Sequence, residues 1–223
     1  MLEFIEVETA PNPSVAVIWL HGLGADGSDF VPAVRELALT GCPPIRFIFP
    51  HAQTMSVTVN NGYVMRAWYD ILGADLTRRE DEAGLRKSQA AIEELIMAQN
   101  ARGIASQRIV LAGFSQGCAM ALQTGLRYPE KLAGLLCLSG YLPLADKLAA
   151  ERSQANQGVP ILLAHGSTDP VVPMSRATAS RDVLQSLGYA VEWHAYPMSH
   201  SVCPQEIVDI GLWMNRVLTM PAA

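Results

Sequence analysis

The chain has 223 residues, half of them hydrophobic and 17% charged, with a formal net charge of −5 at pH 7. That length suits one globular domain, and the apolar content can fill a large core, which excludes a disordered chain. An acidic balance without a basic cluster argues against nucleic-acid binding, because phosphate recognition needs concentrated positive charge.

In chain order, "LEFIEVE" (Leu2–Glu8) alternates apolar and polar residues, as a strand at a sheet edge does. "SVAVIWLH" (Ser14–His21) is apolar and β-branched. "SDFVPAVRELALTG" predicts a helix capped by Ser28 or Asp29 and stopped at Gly41. "IRFIFP" (Ile45–Pro50) is a second buried strand. The stretch from Ala52 to Thr77 is too long for a plain connection and carries Asn60-Asn61-Gly62 turn chemistry and the pair Trp68-Tyr69. Two readings stand for it: a cap or cleft wall, or a hairpin that only covers the sheet edge. "EDEAGLRKSQAAIEELIMAQNARG" is a long helix, acidic at its start, with Leu85, Ala91, Ile92, Leu95 and Ile96 as its apolar stripe. "RIVLAGF", "LAGLLCLSG", "VPILLAHG" and "AVEWHAYP" read as further strands. "CAMALQTGLRYP", "SRATASRDVLQSLG" and "CPQEIVDIGLWMNRVL" read as helices. Several strands are continuous apolar runs, as parallel strands covered on both faces are. The alternation predicts an α/β fold in one domain over 1–223: a mostly parallel central sheet, helices on both faces, and minimal or no lid beyond the excursion around 52–77.

The N-terminal segment has no basic stretch leading into an apolar core, so no signal peptide is expected. No apolar run approaches the roughly 18–20 residues of a membrane span, so no stable membrane insertion is expected. Cys42, Cys118, Cys137 and Cys203 are scattered without a C-x-x-C pair, which gives neither a zinc spacing nor a disulfide framework. A cytoplasmic protein with free thiols is the expectation.

The chemistry concentrates at Gly113-Phe114-Ser115-Gln116-Gly117. A G-x-S-x-G pattern arises by chance in roughly one chain in fifteen of this length, so the five letters alone carry little. Their context carries more, because the serine follows a strand and opens a helix, as a nucleophile elbow requires. The turn lifts the hydroxyl above the sheet, and the helix aims its positive end at the same point. A serine hydroxyl needs a base and an acid, which in sheets of this type follow it in the order acid, histidine. Of five histidines, His21 and His51 precede the serine, His165 closes a strand, and His194 lies within one. His200 alone follows the last strand on a short loop. Asp169, in "AHGSTDPVVP", directly follows a buried strand, whereas Asp146, Asp182 and Asp209 fall in helical stretches. The triad expected is Ser115, Asp169 and His200. Oxyanion donors are expected from the amides of Gln116, next to the nucleophile, and Leu23, in the glycine loop "HGLGADG". That loop has neither the lysine nor the spacing of a phosphate cradle. Trp68, Leu72, Leu142 and Val172 are candidate walls of an acyl cleft, with ordinary core packing the alternative for each.

Taken together, "VIWLHGLGADGSDF", "MRAWYDI", "AGFSQG", "HGSTDPVVP" and "YPMSHSVCPQEI" resemble the bacterial carboxylesterase and acyl-protein thioesterase family of α/β-hydrolases, over nearly the whole chain. The resemblance implies an α/β-hydrolase fold and a serine carboxylesterase acting on short to medium acyl esters, thioesters or lysophospholipids. It implies the same triad and oxyanion donors, and no metal or organic cofactor. Two positions depart from the family's glycines: Cys118 after the serine motif, and Ser199 before the histidine. Other hydrolases on this scaffold, such as a lactone hydrolase or a peptidase, remain alternatives, as does a catalytically silent interaction protein. A small or lipid-like ester is the expected partner, and a homodimer the expected assembly.

Overall fold

The computed structural model describes residues 1–73 and 80–219. The predicted excursion over 52–77 therefore ends, at 74–77, outside the described residues. In chain order the strands are β1 Phe4–Glu8, β2 Val15–Leu20, β3 Ile45–Pro50, β4 Thr54–Val57, β5 Tyr63–Arg66, β6 Ile109–Phe114, β7 Gly134–Leu138, β8 Ile161–Gly166 and β9 Val191–Tyr196. The helices are α1 Ala33–Glu36, α2 Glu82–Ala101, α3 Gln116–Gly125, α4 Ala145–Glu151, α5 Met174–Ser186 and α6 Pro204–Thr219.

Seven strands form one sheet in the order β1-β3-β2-β6-β7-β8-β9. β1 pairs antiparallel with β3, Phe4 opposite Pro50, and the other neighbours run parallel. Alternation along each strand splits the core into two layers. Ala16, Ile18 and Leu20 of β2 face a layer containing Leu85, Ile92, Leu95 and Ile96 of α2 and the apolar side of α3. Val15, Val17 and Trp19 face Ile210, Trp213 and Met214 of α6. Both faces of the central strands are thus covered, which explains their unbroken apolar runs.

The segment beginning at Ser28 corrects the predicted long helix. Only the single turn α1 forms, and it begins behind Pro32, which can open a helix but cannot donate within one. The Asp26 carboxylate takes the Ser28 amide and hydroxyl, at 2.7 and 2.6 Å, so the chain turns there. Phe30 stacks on Trp19 at 5.0 Å, so the segment docks through single side chains. In the 52–77 region, β4 and β5 form a separate antiparallel hairpin. Asn61 and Gly62 take positive φ in its turn, as the Asn-Asn-Gly sequence allows.

Candidate active site

β6 ends at Phe114 and α3 begins at Gln116, which leaves Ser115 alone in the turn. Its backbone stands at φ 54, ψ −114, a strained conformation for a non-glycine residue. The two glycines of the motif make that turn fit. A Cβ on Gly113 would lie 2.1 Å from the Gly117 carbonyl oxygen, and one on Gly117 would lie 2.1 Å from that of Leu20. The elbow is further tied to the sheet by the Ser115 amide, which donates to the Leu138 carbonyl at 2.8 Å.

The loops after β8 and β9 bring Asp169 and His200 to this serine. His200 Nδ1 lies 2.6 Å from Asp169 Oδ2, and His200 Nε2 lies 2.9 Å from Ser115 Oγ. The Asp169 carboxyl is fully buried, and its Oδ1 accepts the amides of Val171 and Val172 at 2.8 and 2.9 Å. With Oδ1 so occupied, Oδ2 is the acceptor for His200 Nδ1–H, which leaves Nε2 to accept the serine proton. His165 sits behind the acid. Burial lowers its pKa and keeps the ring neutral. Its Nε2–H donates to the Val172 carbonyl at 2.8 Å and lies 3.4 Å from Asp169 Oδ2, which fixes the Asp169–Val172 turn. Phe114 packs against the His200 ring, centroids 4.8 Å apart.

The Leu23 and Gln116 amides border the same cleft as Ser115, and neither donates to a protein acceptor among the described residues. Both are therefore open to a ligand oxygen, and the Gln116 amide has the positive end of α3 behind it. Gly24, at φ 77, lets the glycine loop bend and gives its amide to the Arg66 carbonyl of β5 at 2.9 Å.

The cleft has a volume of about 530 Å³. Val59, Asn60, Ile71 and Gly73 of the hairpin segment line one side, and the Pro170–Pro173 turn lines another. Of the four expected wall residues, Val172 lines it, and Leu72 stands between two residues that do. Trp68 and Leu142 lie elsewhere. Trp68 is buried, its indole N–H donating to the His21 carbonyl at 2.9 Å and its amide to the Gln116 side chain at 2.8 Å. The Gln116 side chain also donates to the Tyr69 carbonyl at 2.7 Å, so the Trp68–Tyr69 backbone is tied to the start of α3. Leu142 lines a neighbouring pocket with Glu80 and Ala145.

Sequence reasoning missed Tyr69, Tyr141 and Arg176 in the cleft wall. Tyr69 and Tyr141 share a hydroxyl–hydroxyl bond of 2.9 Å, and burial pushes both phenols above their ordinary range. Tyr69 carried a local signal, its place beside Trp68, whereas Tyr141 and Arg176 carried none. Cys118 is buried at the first turn of α3, against Gly140, while the side chain of Ser199 is exposed. Ser199 has no positive φ, so its loop does not demand glycine. Among the described residues, no three His, Cys, Asp or Glu side chains are grouped as a metal would need, and no helix is long and apolar enough to cross a membrane.

Comparison with known proteins places this arrangement. The model of the phospholipase/carboxylesterase family matches residues 3–218. Acyl-protein thioesterase 1 of Neurospora crassa is 42% identical over 221 residues, covering 95% of this chain and 90% of that protein. The crystal structure of Arabidopsis thaliana SOBER1 superposes with a TM-score of 0.87 at 29% identity, over 92% of this chain and 99% of that one. That of Zea mays acyl-protein thioesterase 2 gives 0.83 at 28% identity, over 96% and 99%. The relatives named are fungal and plant proteins, and the expected family holds. The chain belongs to the phospholipase/carboxylesterase family, has the α/β-hydrolase fold, and is a serine hydrolase.

Proposed function

We propose that the chain hydrolyses carboxylic esters of short to medium acyl chains through an acyl-enzyme on Ser115. The observation that carries this is the unbroken relay from Asp169 Oδ2 through His200 to Ser115 Oγ, at 2.6 and 2.9 Å. His200 Nε2 takes the hydroxyl proton as Oγ attacks the acyl carbonyl. Asp169 holds the imidazole in that tautomer and stabilises the imidazolium. The Leu23 and Gln116 amides receive the developing oxyanion. His200 then gives the proton to the leaving oxygen or sulfur, and in the second half activates the water that releases the acid. The hairpin segment serves as a cleft wall of a single hydrolase domain, a role supported by Val59 and Ile71 at the cleft.

A second reading has thioesters as the main substrates. It is favoured by the names of the relatives, acyl-protein thioesterases at 35–45% identity. Rates on matched oxygen and thio esters over a series of acyl lengths decide between the two. The reading as a whole is tested by Ser115→Ala. The variant is expected to keep its fold and lose p-nitrophenyl butyrate hydrolysis by about 10³-fold or more, and retained activity overturns it. A cytoplasmic location and a homodimer belong to the same proposal. Val208 and Leu212, exposed one turn apart on α6, support a self-association that sedimentation measures.

A further inference from the structure

Arg176 is the third residue of α5 and the one charged side chain among the described residues that line the cleft beside Ser115. Its surroundings differ from those of six other arginines. Arg46, Arg86, Arg102, Arg127, Arg181 and Arg216 each meet a carboxylate. Among the described residues Arg176 has no such partner and no hydrogen-bond acceptor for its guanidinium. Its contact is with the Tyr141 ring, whose centroid lies 4.1 Å from the guanidinium carbon. Tyr141 is itself held by Tyr69, so the platform is fixed.

Stacking covers the face of the guanidinium and leaves its N–H edge unused. That edge is a planar fork matched to two oxygens of a carboxylate or phosphate, and it stays charged at every pH of interest. Helix stability does not account for the residue, because a cation in the first turn of α5 opposes the helix dipole. Nor, among the described residues, does neutralisation by a paired carboxylate. Arg176 also borders the adjoining pocket, which Glu80 and Asp146 line; Glu80 is in electrostatic contact with it but forms no ion pair and gives an oxygen to the Leu144 amide at 2.9 Å. A guanidinium without an ion-pair partner among the described residues, half-buried in a cleft wall that carries no other charge there, is costly unless a ligand completes it.

We propose that Arg176 is a specificity determinant that grips an anionic oxygen group on the ester, a carboxylate or phosphate held away from the scissile carbonyl. This rests on the ester-hydrolase reading and narrows its substrate class to anionic esters. The anion comes either from the acyl chain or from the alcohol, and two substrate pairs separate the sources. The acyl pair is mono-p-nitrophenyl glutarate and p-nitrophenyl butyrate. The alcohol pair is lysophosphatidate and the monoacylglycerol of the same acyl chain. Within each pair the readout is the ratio of kcat/KM, anionic over neutral, in the wild type, Arg176→Gln and Arg176→Lys.

Arg176→Gln is expected to lower the ratio in one pair by about 10- to 100-fold, the range of a lost charge-assisted hydrogen bond. The pair that responds identifies the source. Arg176→Lys, which keeps the charge without the fork, is expected to recover part of the ratio. Raising salt to about 0.5 M should lower the wild-type ratio and leave that of Arg176→Gln unmoved, since screening acts only where the charge remains. A purely structural role for Arg176 moves both members of a pair together. Ratios unchanged in both pairs, with the neutral esters still hydrolysed by the wild type, overturn the anion proposal and leave the hydrolase reading standing. A wild type that hydrolyses none of the four overturns both.

Discussion

Glu206 offers a sharp test of the physical picture. It lies in the first turn of α6, just past the loop that carries His200, and it is fully buried. Among the described residues neither carboxyl oxygen has a well-formed hydrogen bond, the Cys203 amide standing near as a weak donor. Burial pushes its pKa up to about 7 from an ordinary value near 4.5; the Cys203 amide pulls it down, and the Asp209 carboxylate adds to the rise. Asp209 is in turn held by the Tyr196 hydroxyl at 2.8 Å. Between about 4.5 and 7 the folded chain holds a proton that the unfolded chain has released. The associated stability is complete below 4.5 and is lost as pH rises through 7. At pH 8 the loss amounts to about 3 kcal/mol. Glu206→Gln keeps the shape and cannot ionise. Urea unfolding of both proteins from pH 5 to pH 8 should show the variant gaining on the wild type as pH rises, by about 2–3 kcal/mol across the range. His21 and His165 work in the opposite direction. Burial lowers both, so their contribution is complete above about 6.5 and falls as pH drops below it. They are present in both proteins and cancel in the difference. A difference that is the same at pH 5 and pH 8 refutes the assignment of a buried, proton-holding carboxyl to Glu206.

Two further substitutions test the site. In Asp169→Asn the side-chain oxygen can still accept the Val171 and Val172 amides, which turns its NH₂ toward His200 Nδ1. The imidazole must then place its proton on Nε2, facing the serine, and kcat for p-nitrophenyl butyrate should fall by about 10³- to 10⁴-fold with an unchanged circular dichroism spectrum. Gly117→Ala puts a Cβ 2.1 Å from the Leu20 carbonyl oxygen and 2.7 Å from that of His21, neither of which can yield. It should cost more than about 2 kcal/mol in denaturant unfolding, and a wild-type midpoint would refute the tight packing of the elbow against β2.

The strands and most helices were legible because each is a local pattern. The unbroken apolar runs of β2, β6 and β7 are what two-sided burial selects, and the stripe of α2 is what one-sided burial selects. Asp81 caps α2 by accepting the Gly84 amide at 3.0 Å, so that start was written in the chain. The segment after Ser28 misled because its spacing is helical while its contacts are not. Phe30 is claimed by Trp19, and Asn215 of α6 takes the Gly41 amide at 3.1 Å. Neither partner is near in sequence.

The site divides along the same line. Ser115, Asp169 and His200 sit at strand ends, in an order that the sheet enforces, so position along the chain predicts position in space. The cleft wall obeys no such rule. Trp68 was a reasonable wall candidate as an aromatic residue on an insertion, but its indole N–H needs an acceptor once buried, and the His21 carbonyl supplies one. That bond holds the ring against the His21 backbone, while its neighbour Tyr69 reaches the cleft. Tyr141 follows β7 and Arg176 opens α5, and they meet only because β7 and β8 are paired. The nucleophilic machinery is thus a property of the scaffold and readable from one chain. Selectivity, on the proposal made for Arg176, is a property of contacts between segments that share only the cleft lined by Ser115 and Arg176.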